Sequence, residues 1–152
     1  MALPFQTSDA ELARVFGAAY QGRVARACLA TNTGTLTKNS TTAQWDAAEI
    51  SAQASEGYAR VQWTIPAGAY DAATGRFRSP QQLATFTAAA NGLGLTYDTL
   101  YIVLGTAGGG GAVTWDTTVA MVHVEAPSIA LSPGEPRSYR VRLLTDDITT
   151  VA

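Results

Sequence analysis

His123 and Cys28 are the only histidine and the only cysteine among 152 residues, so nucleophilic or acid–base chemistry would start from them. A triad-type mechanism needs a base beside a nucleophile, with a third group orienting the base. His123 falls on the polar face of an alternating run, residues 119–124, which is the setting of a surface or interface side chain. Cys28 lies in an Ala-rich run and reads as a small buried residue. One Cys and one His cannot supply the usual zinc ligand set.

Glycoside hydrolysis needs only two carboxylates. Asp71, Asp98, Asp116, Asp146 and Asp147 all fall at turns or strand ends, where aspartate caps backbone groups without any chemistry. Asp146 and Asp147 could contribute calcium ligands, but the spaced pattern of an EF-hand loop is absent. The stretch Gly105-Thr106-Ala107-Gly108-Gly109-Gly110-Gly111 has no Lys-Ser or Lys-Thr after it. It joins strand to strand, whereas phosphate-cradling loops open a helix. No catalytic, cofactor-binding or metal-binding residue is assigned, and a non-enzymatic protein is expected.

Contact residues are easier to name. Trp115 follows the glycine run, and aromatics in mobile loops are common interface anchors, although the ring can equally fold the loop back onto the domain. Arg140 and Arg142 project from one strand face, where they pair with acidic groups on a partner or are simply solvated. Leu12, Val15 and Phe16 recur with Ala19 at helical spacing and form an apolar face for the domain or for a neighbour.

These residues need a frame. Ser8-Asp9-Ala10-Glu11 has capping-box spacing, so a short helix runs from Asp9 to about Tyr20 and ends at Gly22. Residues 23–31 read as a strand with small residues on both faces, and residues 32–42 as a polar surface loop. Residues 45–54 supply a helical turn or two, with Thr42 as cap and Trp45 and Ile50 inward. A strand follows over 57–65, with Val61, Trp63 and Ile65 on one face, closed by Pro66. Residues 70–77 form a hairpin, 83–89 alternate, and 91–94 turn.

The nearly unbroken apolar run 98–104 and the half-wet strand 119–124 read as neighbouring antiparallel core strands. A long, mobile loop over 105–111 would join them, because glycine loses the most backbone freedom on folding. A short strand at 129–131 precedes a last one in which Tyr139, Val141 and Leu143 share a face. Beyond Thr145 the chain is a polar tail with too little apolar content to hold itself in place. Regularly spaced short strands predict an all-β fold, an antiparallel sandwich or barrel with a short N-terminal helix, and a jelly-roll-like β-sandwich is the form expected. Residues 1–22 are the arm and helix, 23–144 the β-sandwich domain, and 145–152 the tail.

Several classes are excluded by the totals. A chain that is 47% hydrophobic and 14% charged is too apolar for disorder, and no run is long enough for a membrane-spanning helix. A net charge of −2 offers no general attraction for nucleic acid or anionic lipid, so neither is expected as a partner. One cysteine excludes an intrachain disulfide. Residues 1–5 are not followed by a basic region and an apolar stretch, so no signal peptide is expected. Sparse charge on a Thr- and Ala-rich exterior points to surface covered by partners.

Cys28-Leu29-Ala30-Thr31-Asn32, then Thr42-Ala43-Gln44-Trp45-Asp46, then Glu56-Gly57-Tyr58-Ala59-Arg60 together resemble small tailed-bacteriophage virion proteins. Tyr70-Asp71, the run 101–104 and Pro133-Gly134 before Tyr139 extend the likeness over residues 23–144, and the helix before Gly22 departs from it. The resemblance implies a non-enzymatic virion β-sandwich without a cofactor, oligomeric with a homotrimer as one form, assembled in the host cytoplasm. Its partner would be the major capsid protein or another virion protein. A capsid decoration (cement) protein is the leading expectation, gripping through Leu12, Val15 and Phe16 and the terminal segments. The alternatives are a tail, neck or fibre component and, from another class, a carbohydrate-binding module.

Overall fold

A computed structural model of the chain describes residues 9–32, 34–71, 73, 76–78, 80–143 and 147–151. Helix α1 (Asp9–Ala19) leads into β1 (Val24–Ala30), and α2 (Thr42–Ala48) and a 3₁₀ segment (Ser51–Glu56) precede β2 (Val61–Thr64). The hairpin β3 (Ala69–Asp71) and β4 (Arg76–Arg78) comes next, with α1 in contact with β4. Then follow β5 (Gln81–Thr87), β6 (Leu95–Ala107), β7 (Val113–Trp115), β8 (Met121–Leu131), β9 (Pro136–Arg142) and β10 (Asp147–Val151). The protein is mostly β, and apart from the β3–β4 hairpin its strands form two antiparallel sheets.

One sheet runs β2–β1–β6, and the far side of β6 pairs first with β8 and then with β7. The other runs β10–β9–β5. Leu95, Tyr97, Leu100, Ile102 and Leu104 of β6 share a core with Ala25, Ala27 and Leu29 of β1 and with Ala84, Phe86, Tyr139 and Val141 of the second sheet. A register shift between Tyr97 and Thr99 keeps residues before and after it on one face. The opposite face of the first sheet, with Cys28, Ala30, Tyr101 and Val103, forms a second core with Trp45. Double coverage explains the small residues on both sides of β1, because a strand buried on both faces loses its alternation.

Several strands follow their sequence patterns directly. Ala84, Phe86 and Ala88 are buried while Leu83, Thr85 and Thr87 are exposed, and Tyr139, Val141 and Leu143 all point inward. Helix α2 starts at Thr42, three residues before the expected start at Trp45, and its cap falls one residue earlier than expected. Its cap is Thr41, in a reciprocal capping box with Gln44, and Thr42 is instead a buried helical residue. Ser8 lies outside the described residues.

The expected loop over residues 105–111 is shortened to residues 108–112, because its first three residues enter a strand pair. Gly105, Thr106 and Ala107 continue β6 and pair with Trp115, Thr114 and Val113, and Gly105 also pairs with Val24 on its other side. A Cβ at Gly105 would lie 2.6 Å from Val113 Cγ1 and 2.8 Å from Trp115 Cε3. Only a bare Cα lets the indole lie over the strand, which outweighs the entropic disadvantage of glycine there. Gly105→Ala is expected to destabilise the protein by about 1–3 kcal/mol through overpacking. Urea denaturation checks this, and combining it with Trp115→Ala should cost less than the two single changes added together.

Three further expectations change. Residues 129–131 belong to β8 rather than to a separate strand. The face of β8 carrying Met121, His123 and Glu125, expected to be wet, turns toward the second sheet: Met121 is in the shared core and the His123 ring lies 6.0 Å from Tyr139. Val124 on the other face is 59% exposed. Finally, residues 147–151, expected as an unanchored tail, pair with β9 from Asp147↔Arg142 to Val151↔Ser138. Strand pairing needs backbone hydrogen bonds more than apolar content, and Ile148, Thr149, Thr150 and Val151 are all β-branched.

Candidate functional site

The sheet face beneath α2 carries a buried charge. Arg26, only 2% exposed, is the one charged residue of β1 and donates to both oxygens of Asp46 at 2.8 and 2.7 Å. Asp46 also accepts from the Tyr101 hydroxyl at 2.9 Å. The guanidinium lies 4.7 Å from the Trp115 ring centroid, a cation–π contact. Trp45 precedes Asp46 on α2 and stacks on Tyr101 at 5.4 Å, while its indole Nε1 donates to Thr37 O at 3.2 Å. One turn of helix thus lowers a ring and a carboxylate onto the sheet side by side.

A second network adjoins it. Buried Glu49 accepts from Arg60 Nε at 2.8 Å and from the Tyr58 hydroxyl, whose oxygen accepts from Leu29 N at 3.2 Å. The hydrogen bond to Glu49 pushes the Arg60 pKa above its ordinary value and keeps the guanidinium charged. Burial pushes the Cys28 thiol up to about 12, with Glu49 adding to the shift and Arg26 and Arg60 opposing it. Burial likewise raises Tyr58 and Tyr101. These groups stay protonated at neutral pH, so Cys28 is not a nucleophile in the folded protein.

A titration follows from that. The folded thiol binds its proton more tightly than an ordinary thiol near 9.0, so its contribution is intact below pH 9 and lost as the pH rises toward 12. Stability is expected to fall by about 1.4 kcal/mol per pH unit in that window, and more steeply once the buried tyrosines titrate in the unfolded chain. Urea midpoints measured from pH 7 to 11 check this. Cys28→Ala should delay the onset to the tyrosine range, and an unchanged onset would refute the assignment.

The third cluster bridges the sheets. The Tyr139 hydroxyl donates to Glu125 Oε1 at 2.9 Å, so the 2.8 Å contact between Tyr97 and Tyr139 has Tyr97 as donor. Arg137 and His123 approach the same carboxylate oxygen at 3.4 and 3.7 Å. His123 therefore faces a carboxylate and a phenol ring rather than a nucleophile. Burial raises the pKa of Tyr139 and of Tyr97, which holds both phenols neutral.

The contact candidates scatter over the fold. Phe16 is 1% exposed and packs with Tyr20 in the chain's own core, whereas Val15 is exposed and the Leu12 side chain lies outside the described residues. Trp115 is half-buried and folded back onto Gly105 and Arg26. Arg140 is exposed opposite Leu83, and Arg142 donates to Gln81 at 3.1 Å. Asp98 accepts from Asn32 N at 2.8 Å, and Asp116 pairs with Arg23 at 2.6 Å. The side chains of Asp71 and Asp147, and all of Asp146, lie outside the described residues. Among the described residues, no three or more His, Cys, Asp or Glu side chains are arranged to hold a metal ion.

No protein-family model, curated protein or solved structure matches this chain. Geometry carries the reading instead. Two clefts flank residues 116–120: one of about 490 Å³ beside Tyr20, Arg23 and Met121, the other of about 440 Å³ beside Arg26, Asp46 and Trp115. Sequence inspection missed Arg26 and Asp46. The available signal was a lone arginine in a strand of alanines, which demands a buried partner.

Proposed function

We propose that this protein is a non-enzymatic structural protein of a tailed-bacteriophage virion, a capsid decoration (cement) protein that forms a trimer and braces the head shell. In this reading the two sheets make a jelly-roll-like β-sandwich, and the outer face of β5 and β9 docks on a major capsid subunit. The observation that carries it is Leu83, mid-strand and 57% exposed, with Arg140 directly opposite and Arg142, Gln81, Thr85 and Ser138 around it. An exposed leucine flanked by two arginines fits a docking face, where arginine is enriched. Arg26 and Glu49, the buried members of two ion pairs, are each tied to a partner of opposite charge, which supports a scaffold role.

Light scattering across a dilution series, followed by binding to expanded capsids, tests the proposal. A closed oligomer that survives dilution and saturates capsids at hundreds of copies is the expected result, with Leu83→Glu abolishing capsid binding. A monomer that never binds capsids would overturn it, and saturation at a few copies would move the protein to the tail, neck or fibre.

A further inference from the structure

We propose that the cleft beside Trp115 binds a neutral sugar ring. Arg26, Thr41, Thr42, Asp46, Trp115 and Thr117 line its 440 Å³, a volume within the range of small-ligand pockets. Its two walls come from distant parts of the chain and are joined before any ligand arrives. Thr42 N donates to Thr117 O at 2.9 Å, and Thr41 forms a bridge with Thr118. Such preorganisation lowers the entropy a ligand must overcome.

Polarity selects the ligand class. Arg26 and Thr42 are 2% and 6% exposed, and Arg26 Nε and Thr42 Oγ1 have no hydrogen-bond partner among the described residues. Buried donors without partners are costly, so a side-chain adjustment that brings either group to a ligand hydroxyl is favoured, while the joined backbone walls stay in place. Arg26 pairs with Asp46, while Asp116 pairs with Arg23 of the neighbouring cleft, so the lining holds one carboxylate more than it has arginines and gives an anionic ligand no advantage. Asp46 and Asp116 keep partly exposed carboxylates that can accept from sugar hydroxyls. The indole, Ala43 and the threonine methyls offer apolar surface to the C–H face of a pyranose. This site is independent of the assembly reading.

The test is a two-dimensional amide and indole NMR titration of the intact protein with glucose, galactose, mannose, N-acetylglucosamine and, as the charged control, glucuronate. At least one neutral sugar should saturate in the millimolar range, with shifts centred on the Trp115 indole and the Thr42 and Thr117 amides. Thr42→Val should weaken it about fivefold, the size of one lost hydrogen bond, and Thr117→Ala, at an exposed position, provides a second variant that leaves the core untouched. No saturable shift with any neutral sugar, shifts elsewhere, preference for glucuronate, or affinity unchanged in both variants would each overturn the proposal.

Discussion

Asp46→Ala is expected to lower the unfolding free energy by about 3–5 kcal/mol, because it strands a guanidinium in the interior without its counter-charge. The burden falls on Arg26, whose side chain is 3% exposed, and not on Asp46, which is 32% exposed. Truncation also takes the acceptor from the buried Tyr101 hydroxyl. The intact pair need not be strongly stabilising, since desolvation offsets much of its Coulombic gain. A double-mutant cycle separates the two quantities: Arg26→Met with Asp46→Ala should recover most of the stability lost in Asp46→Ala alone. If urea denaturation of Asp46→Ala shows a cost below about 1 kcal/mol, water reaches the guanidinium and the pair is not a buried one.

Trp45→Ala should be about as costly, roughly 3–5 kcal/mol, for a reason unrelated to charge. Trp45 is fully buried and, with Tyr101, fills the second core between α2 and the first sheet. Removing it leaves a ring-sized cavity that the capped, seven-residue helix cannot collapse into without moving Asp46 off Arg26. The indole donor to Thr37 O is lost as well. Trp45→Phe retains most of the ring volume and should cost clearly less. Equal losses in the two variants, measured by urea denaturation, would show that the indole hydrogen bond and not the packing holds the layer in place.

The sequence by itself determined the β character, the short N-terminal helix and which residues of β2, β5 and β9 share a face. Each of these follows from local spacing that the backbone period converts directly into a face. Period-two alternation, however, separates two faces without saying which one is inward. On β8 the second sheet decided, drawing Met121, His123 and Glu125 inward and leaving Val124 to solvent. The start of the glycine run was misread for a related reason: the conformational cost of Gly105 is local, while the indole that compensates for it arrives ten residues later. The polar clusters depend on the fold more strongly still. Arg26 meets Asp46 across 20 residues and Arg23 meets Asp116 across 93. Such pairs leave no periodic trace, because only the packing of α2 and of residues 116–118 against one sheet face brings their charges within hydrogen-bonding distance.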